Sequence, residues 1–239
     1  RIELRKIIES DFKNDGFFFD VDPFIISDKS DYEKIKIQTS DLIYNKRNIE
    51  IDYNSENKIL KILQKEPGSR VYFNNGSLKN ILIDFKGILE NELIDFPIDK
   101  FGNTGCLTFS NIEFSNVSIA SKDANCEDAI NIINSKGRIK DISIHNTLSD
   151  ALDLDFSNLF IDNVSIKNAK NDCADFSLGT YEIKNLLTEY CGDKSVSVGE
   201  NSKFRAKKIV SKFSNIGIAT KDGSFSLIDA INIQKTKYC

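Results

Sequence analysis

The sequence predicts an all-β fold: a right-handed parallel β-helix, a single-stranded solenoid of about 22 residues per coil, with an irregular N-terminal cap. Three observations predict it. Four segments repeat, CEDAINIINS (126–135), SDALDLDFSN (149–158), NDCADFSLGT (171–180) and GDKSVSVGEN (192–201), and a fainter fifth, SNIGIATKDGS (214–224), follows. Steps of 22 from Asp128 reach Asp150, Asp172, Lys194 and Ile216, and the same step joins Ile130, Leu152, Ala174, Val196 and Ile218. Between these columns run Asn131, Asp153, Asp175, Ser197 and Ala219, mostly polar, so each segment alternates with period two, as a strand with one buried face does. A fixed period in the low twenties, repeated this often, is the mark of a solenoid whose coils stack into one column.

In chain order, residues 1–55 read as a cap or flanking segment and 56–239 as one continuous β-helix domain. RIELRKIIESDF suits a short helix or an entering strand, and GFFFDVDPFII (16–26) an extended run that Pro23 confines to an edge or bend. SDYEKIKIQTSDLIYN and RNIEIDYN alternate as strands. A cap is expected because a bare terminal coil exposes its core and its strand edge. From residue 56, KILKILQ and RVYFNNGSLKNILIDFKG are strand–turn–strand units, with turns at Pro67-Gly68 and Asn74-Asn75-Gly76. CLTFSNIEFSNVSIAS (106–121) is an early coil whose long link to Asp128 predicts a protruding loop at 122–125. A second strand column follows, with Ile142, Val164 and Leu186 in step, and Asn146 and Asn168 are placed to stack as an amide ladder at a turn. The step slips by one near Phe204–Val210.

Composition narrows the function classes. A net charge of −4 with both signs mixed leaves no nucleic-acid footprint, and no run of apolar residues is long enough to span a membrane. The absence of Met suggests a fragment or processed product, with other domains of a longer parent chain as possible partners. The compartment is open, with the cell surface or exterior favoured. The five cysteines form no CxxC pair; they read as buried thiols in the coil core, with a disulfide or a reactive thiol as alternatives. The lone His145 reads as a surface or turn residue.

Chemistry is expected where acids stack. Coils lie about 4.8 Å apart, so Asp128, Asp150 and Asp172 form a file closed by Lys194, with Asp153, Asp155 and Asp175 beside it on the outward parity. Carboxylates this close repel, and the repulsion is relieved by a proton, a cation or the Lys194 ammonium. The alternative is that an Asp before each strand simply makes a turn. A Ca²⁺ held by Asp153, Asp155 and Asp175 would suit the oxygen-only donor set.

Four stretches, Leu148-Ser149-Asp150, Asn171-Asp172, Asp193-Lys194-Ser195 and Ala219-Thr220-Lys221, fall where polygalacturonases carry N-T-D, D-D, G-H-G and R-I-K. Over 148–224 the chain resembles those glycoside hydrolases, members of the pectin-lyase-like parallel β-helix superfamily. The resemblance implies polysaccharide as substrate, Asp150 and Asp172 as catalytic acids and bases, and Lys221 as a substrate grip. Asn171 replaces one carboxylate, Lys194 the histidine and Ala219 the arginine. The expectation is therefore glycosidic bond hydrolysis with Asp150, Asp153, Asp172 and Lys194 in catalytic roles, and Lys221, Asp128 and Asp175 against the substrate. The alternatives are a non-catalytic repeat module of a larger surface protein, or a polyuronate lyase in which Lys194 takes the proton beside Ca²⁺.

Overall fold

The computed structural model describes residues 31–89, 98–99 and 101–238; the expected elements at RIELRKIIESDF and GFFFDVDPFII lie outside them. The chain enters as two hairpins. β1 (Tyr32–Ile37) runs antiparallel to β2 (Ser40–Asn45), and β3 (Ile49–Asn54) to β4 (Ile59–Gln64). Residues with positive φ, Gln38 and Lys58, sit in the two turns. The hairpins end in the winding itself, since β2 pairs antiparallel with β5 (Val71–Asn74). β6 (Ser77–Lys79) and β7 (Leu82–Lys86) follow, and β4 pairs parallel with β7. The change from antiparallel to parallel pairing thus falls at β4 and β5, since β5 in turn pairs parallel with the strand at Gly105–Ser110.

From there the coils repeat. β8 (Gly105–Ser110), β10 (Asp128–Ile133), β12 (Asp150–Asp155) and β14 (Ala174–Ser177) stack in parallel as the first face, extended by the ends of β15 (Thr180–Gly199) and β16 (Lys203–Thr220). β9 (Glu113–Ala124), β11 (Lys136–Thr147), β13 (Asn158–Ala169), the starts of β15 and β16, and β17 (Phe225–Tyr238) form the remaining faces. Each of these long strands bends across two faces, because β9 pairs first with β6 and then with β7. The structure is all-β: among the described residues there is no α-helix, so no helix is long and apolar enough to cross a membrane.

The predicted columns are the observed ones. Ile130 faces Leu152, which faces Ala174, and all three are fully buried in one core that runs from Ile37 to Ile209. Packed rings fill part of it, with Phe176 between Tyr181 (5.2 Å) and Phe204 (4.8 Å), each pair tilted. The coils turn at left-handed residues in step: Asn111, Asn134, Phe156 and Leu178 at one corner, Asn146, Asn168, Tyr190, Phe213 and Lys235 at another. The amide ladder forms, with Asn168 Nδ2 donating to Asn146 Oδ1 at 2.9 Å. The register slip is real: Tyr181 faces Phe204, but Lys194 faces Ile216, and the extra residue is a bulge between Cys191 and Lys194. At this bulge a Cβ on Gly192 would lie 1.9 Å from the Lys170 carbonyl oxygen, so only glycine fits so close to the preceding coil.

Two expectations are overturned together. No loop protrudes at 122–125: Lys122 and Ala124 belong to β9 in register with His145 and Thr147, and Asn125 is fully buried. The extra residue of this coil turns inward because Cys126 is bonded to Cys106. Cys173 and Cys191 form a second disulfide, so these four cysteines are not free thiols. His145 is half-buried in β11, one residue before the turn at Asn146. Each disulfide ties one coil to the next across a loop of 20 or 18 residues. Converting both Cys173 and Cys191 to Ala should cost about 2–4 kcal/mol of stability, read from urea denaturation, because the unfolded chain regains the freedom the bond removed.

Candidate functional site

The acids divide into two files with different duties. Asp128 and Asp150 open β10 and β12 in register, and Asp172 and Lys194 continue the file on later coils. Here the carboxylates serve the backbone. Asp150 Oδ1 accepts the Asp172 N–H at 2.7 Å, and Asp172 Oδ1 accepts the Lys194 N–H at 2.8 Å. An aspartate at the start of a coil thus caps the amide of the same position one coil on, which is the turn role these residue types favour. Lys194 Nζ ends the file, 3.2 Å from Asp172 Oδ2 and also paired with Asp193. Burial pulls its pKa down, but the hydrogen bonds it donates to Asp193 and Asp172 outweigh burial and leave it raised. Lys194 is held charged, with no lone pair to accept a proton. Asp193, its nearer partner, was visible only as a sequence neighbour.

The second file faces outward. Tyr72, Thr108, Asn131, Asp153, Asp175, Ser197 and Ala219 occupy one register position on seven successive strands of this face. Asp155 follows Asp153 on the same parity of β12. Asn131, 1% exposed, donates from Nδ2 to Asp153 Oδ2 at 2.9 Å and to Asp155 Oδ2 at 3.3 Å, while its own Oδ1 has no partner.

Burial and crowding set the charge state of both files. Asp153 is pushed up to about 10, first by burial and then by the charges of Asp128, Asp155 and Asp175. Burial lifts Asp128 to about 7, against a hydrogen bond from Thr104, with Asp150 adding to the rise. Burial raises Asp150 to about 6, opposed by the Asp172 amide. Asp155 and Asp175 are also raised by burial; Asp155 is relieved in part by Asn131 and Asp153, and Asp175 by Lys221. Protons, rather than Lys194, therefore relieve the repulsion in the outward file. Among the described residues no group of three or more His, Cys, Asp or Glu side chains is arranged to hold a metal ion, the Asp153, Asp155 and Asp175 set included.

At the far end, Lys221 lies over Gly199, where a Cβ would meet its Cε at 3.2 Å, and its charge acts on Asp175. At the near end Tyr72 packs against Phe101 (5.9 Å), which meets Tyr32 edge-on (5.7 Å). Sequence reasoning missed this aromatic end. Tyr72 and Thr108 are in register, yet 36 residues apart, so a 22-residue count passes over them. The structure brings Asp128, Asp150, Asp172 and Lys194 into one file and Asp153, Asp155, Asp175 and Lys221 into the other. The files touch electrostatically, since Asp128 acts on Asp153 and Asp172 acts on Asp175. Comparisons with protein-family models, curated proteins and solved structures found no match to this chain.

Proposed function

We propose that the protein hydrolyses glycosidic bonds of a polysaccharide lying along the outward column from Tyr72 to Lys221. One observation carries this reading: Asp153 and Asp175 stand opposite each other on adjacent coils, with Asp153 pushed up to about 10 by burial and its acidic neighbours, while Lys221 opposes the smaller rise that burial and Asp172 impose on Asp175. A protonated and an ionised carboxyl on one surface are what glycoside cleavage requires. Asp153, half-buried, donates its proton to the glycosidic oxygen as the C–O bond breaks. One coil spacing, about 4.8 Å, leaves no room for a water between the two carboxyls, so Asp175 itself attacks the anomeric carbon, and a water deprotonated by Asp153 then hydrolyses the glycosyl ester and frees Asp175. Asn131 and Asp155 orient the acid, and Tyr72 and Lys221 hold the chain on either side. The partly exposed positions of the column, Tyr72, Asp153, Asp175 and Ala219, follow the coil spacing of about 4.8 Å and suit a linear polymer, and the two disulfides suit an oxidising compartment such as the cell exterior.

A charged, doubly paired Lys194 weighs against elimination with this residue as base. The second reading, a non-catalytic repeat module, is favoured by the oxygens that Asp150 and Asp172 spend on backbone amides. A polysaccharide panel scored for new reducing ends and for unsaturated product absorbance separates the three. Reducing ends without absorbance are expected, with Asp153→Asn and Asp175→Asn each lowering kcat at least about 100-fold while far-UV dichroism is unchanged. A panel on which the wild type releases nothing leaves the module reading in place.

A further inference from the structure

At the corner between the third face and the first, the left-handed position of successive coils is filled by Asn146, Asn168, Tyr190, Phe213 and Lys235. The first two are short and the next two long, so the ladder has a step in it. Tyr190 and Phe213 stack with centroids 4.5 Å apart and ring planes 5° from parallel, close to the coil spacing, which sets both rings across the solenoid axis. Phe213 covers one face of Tyr190. Among the described residues, the left-handed position of the preceding coil holds the shorter Asn168, and Lys167 Nζ lies over the Tyr190 ring at 5.8 Å from its centroid. Tyr190 is 45% exposed and lines a cavity of about 520 Å³, which it shares with Asn146, Asn168 and the exposed Leu89.

We propose that this cavity is a subsite for one hexopyranose ring, with Tyr190 as its floor. The C–H face of a pyranose is flat and apolar and fits an aromatic face, while its rim of hydroxyls needs donors and acceptors. Asn146 and Asn168 supply these at the back wall: one N–H of each is used in the ladder, to Asp123 Oδ1 at 2.8 Å and Asn146 Oδ1 at 2.9 Å, and each amide keeps a second. A mostly apolar cleft with a few converging polar groups is the common form of a small-ligand site. The position fixes the relation to the acids. Lys170 lines the cavity two residues before Asp172, and Gly192 lines it two before Lys194. At about 3.3 Å per residue the cavity lies within one or two sugar units of the inner file. The inference rests on the polysaccharide reading and extends it sideways, from the column to the corner beside it.

The test fills the step. Asn168→Tyr places a third ring on the ladder, at a φ of 60° where Tyr190 already sits at 59°, so the backbone tolerates it. The new ring occupies the space above Tyr190. Calorimetric titration with cellohexaose, xylohexaose and mannohexaose should find at least one ligand whose affinity falls at least about tenfold in both Asn168→Tyr and Tyr190→Ala. Tyr190→Phe, which keeps the ring, should bind as the wild type does. Dichroism and melting temperature confirm that each variant is folded. Unchanged binding in a folded Asn168→Tyr, or no binding of any of the three by the wild type, overturns the subsite. Cleavage that depends on Asp153 but is untouched by Asn168→Tyr would discard the subsite and keep the hydrolase. Binding that depends on Tyr190 without cleavage would do the reverse.

Discussion

Asp153→Asn is expected to raise the melting temperature at neutral pH and to flatten its dependence on pH. The sign follows from the direction of the shifts. Asp150, Asp128 and Asp153 stand at about 6, about 7 and about 10 in the fold, all above their ordinary 3.8. A carboxyl whose folded pKa is raised keeps a proton that the unfolded chain releases. Its contribution to stability is therefore whole below the unfolded pKa and is lost as pH rises toward the folded one. Across that window each such group costs about 1.4 kcal/mol per pH unit. The wild type should be most stable near pH 4, as far as these groups decide it, and weaken steadily toward neutrality and beyond. Asparagine has the same shape, still accepts from Asn131 and still donates to Asp155, but carries no charge to bury. At about 2–4 °C per kcal/mol for a chain of this size, the difference between variant and wild type should widen from acid to neutral pH in a thermal melt. A variant less stable than the wild type at neutral pH would mean that Asp153 is ionised in the fold. The hydrolytic proposal would then lose its acid.

Phe176→Ala should be among the most damaging single changes, at about 3–5 kcal/mol. The ring is fully buried and packs between Tyr181 and Phe204. A solenoid core is one coil wide, so the cavity has few neighbours able to collapse into it. The loss should also reach the site. Phe176 follows Asp175 in β14, and Tyr181 Oη bridges the carbonyls of Leu154 and Ser177 at 2.8 and 2.7 Å, next to the strands that carry Asp153 and Asp175. Urea denaturation would check the stability, and kcat at a temperature where the variant is folded would check the coupling.

Much of this architecture is legible because a coil is a one-dimensional register. Once Asp128, Asp150 and Asp172 are seen to repeat, the parity of every neighbouring residue follows, and with it the buried columns, the amide ladder and the altered step near Phe204–Val210, though not the bulge at Cys191–Lys194 that ends it. The site was half legible by the same rule: counting finds which residues share a column but not what their atoms do there. Asp150 and Asp172 were read from position as the chemical pair, and each has an oxygen committed to an amide of the next coil. Asp153 and Asp175, three residues further along the chain and on the opposite parity, cap no amide of the next coil and carry the repulsion. The disulfides were hidden because Cys106–Cys126 and Cys173–Cys191 lie 20 and 18 residues apart, diagonal to the period.

The sequence by itself determined the winding, since a repeat of 22 with alternating apolar residues can bury its core only by stacking coil on coil. The tertiary structure alone decided which acids are spent on the backbone, which cysteines meet, and that Tyr72 ends the column of Asp153 and Tyr190 floors a cavity beside it. The physical reason is that hydrogen bonds, disulfides and exposed ring faces depend on where a side chain points at a corner or a bulge. Those are the places where one added residue changes direction while the period on either side stays the same.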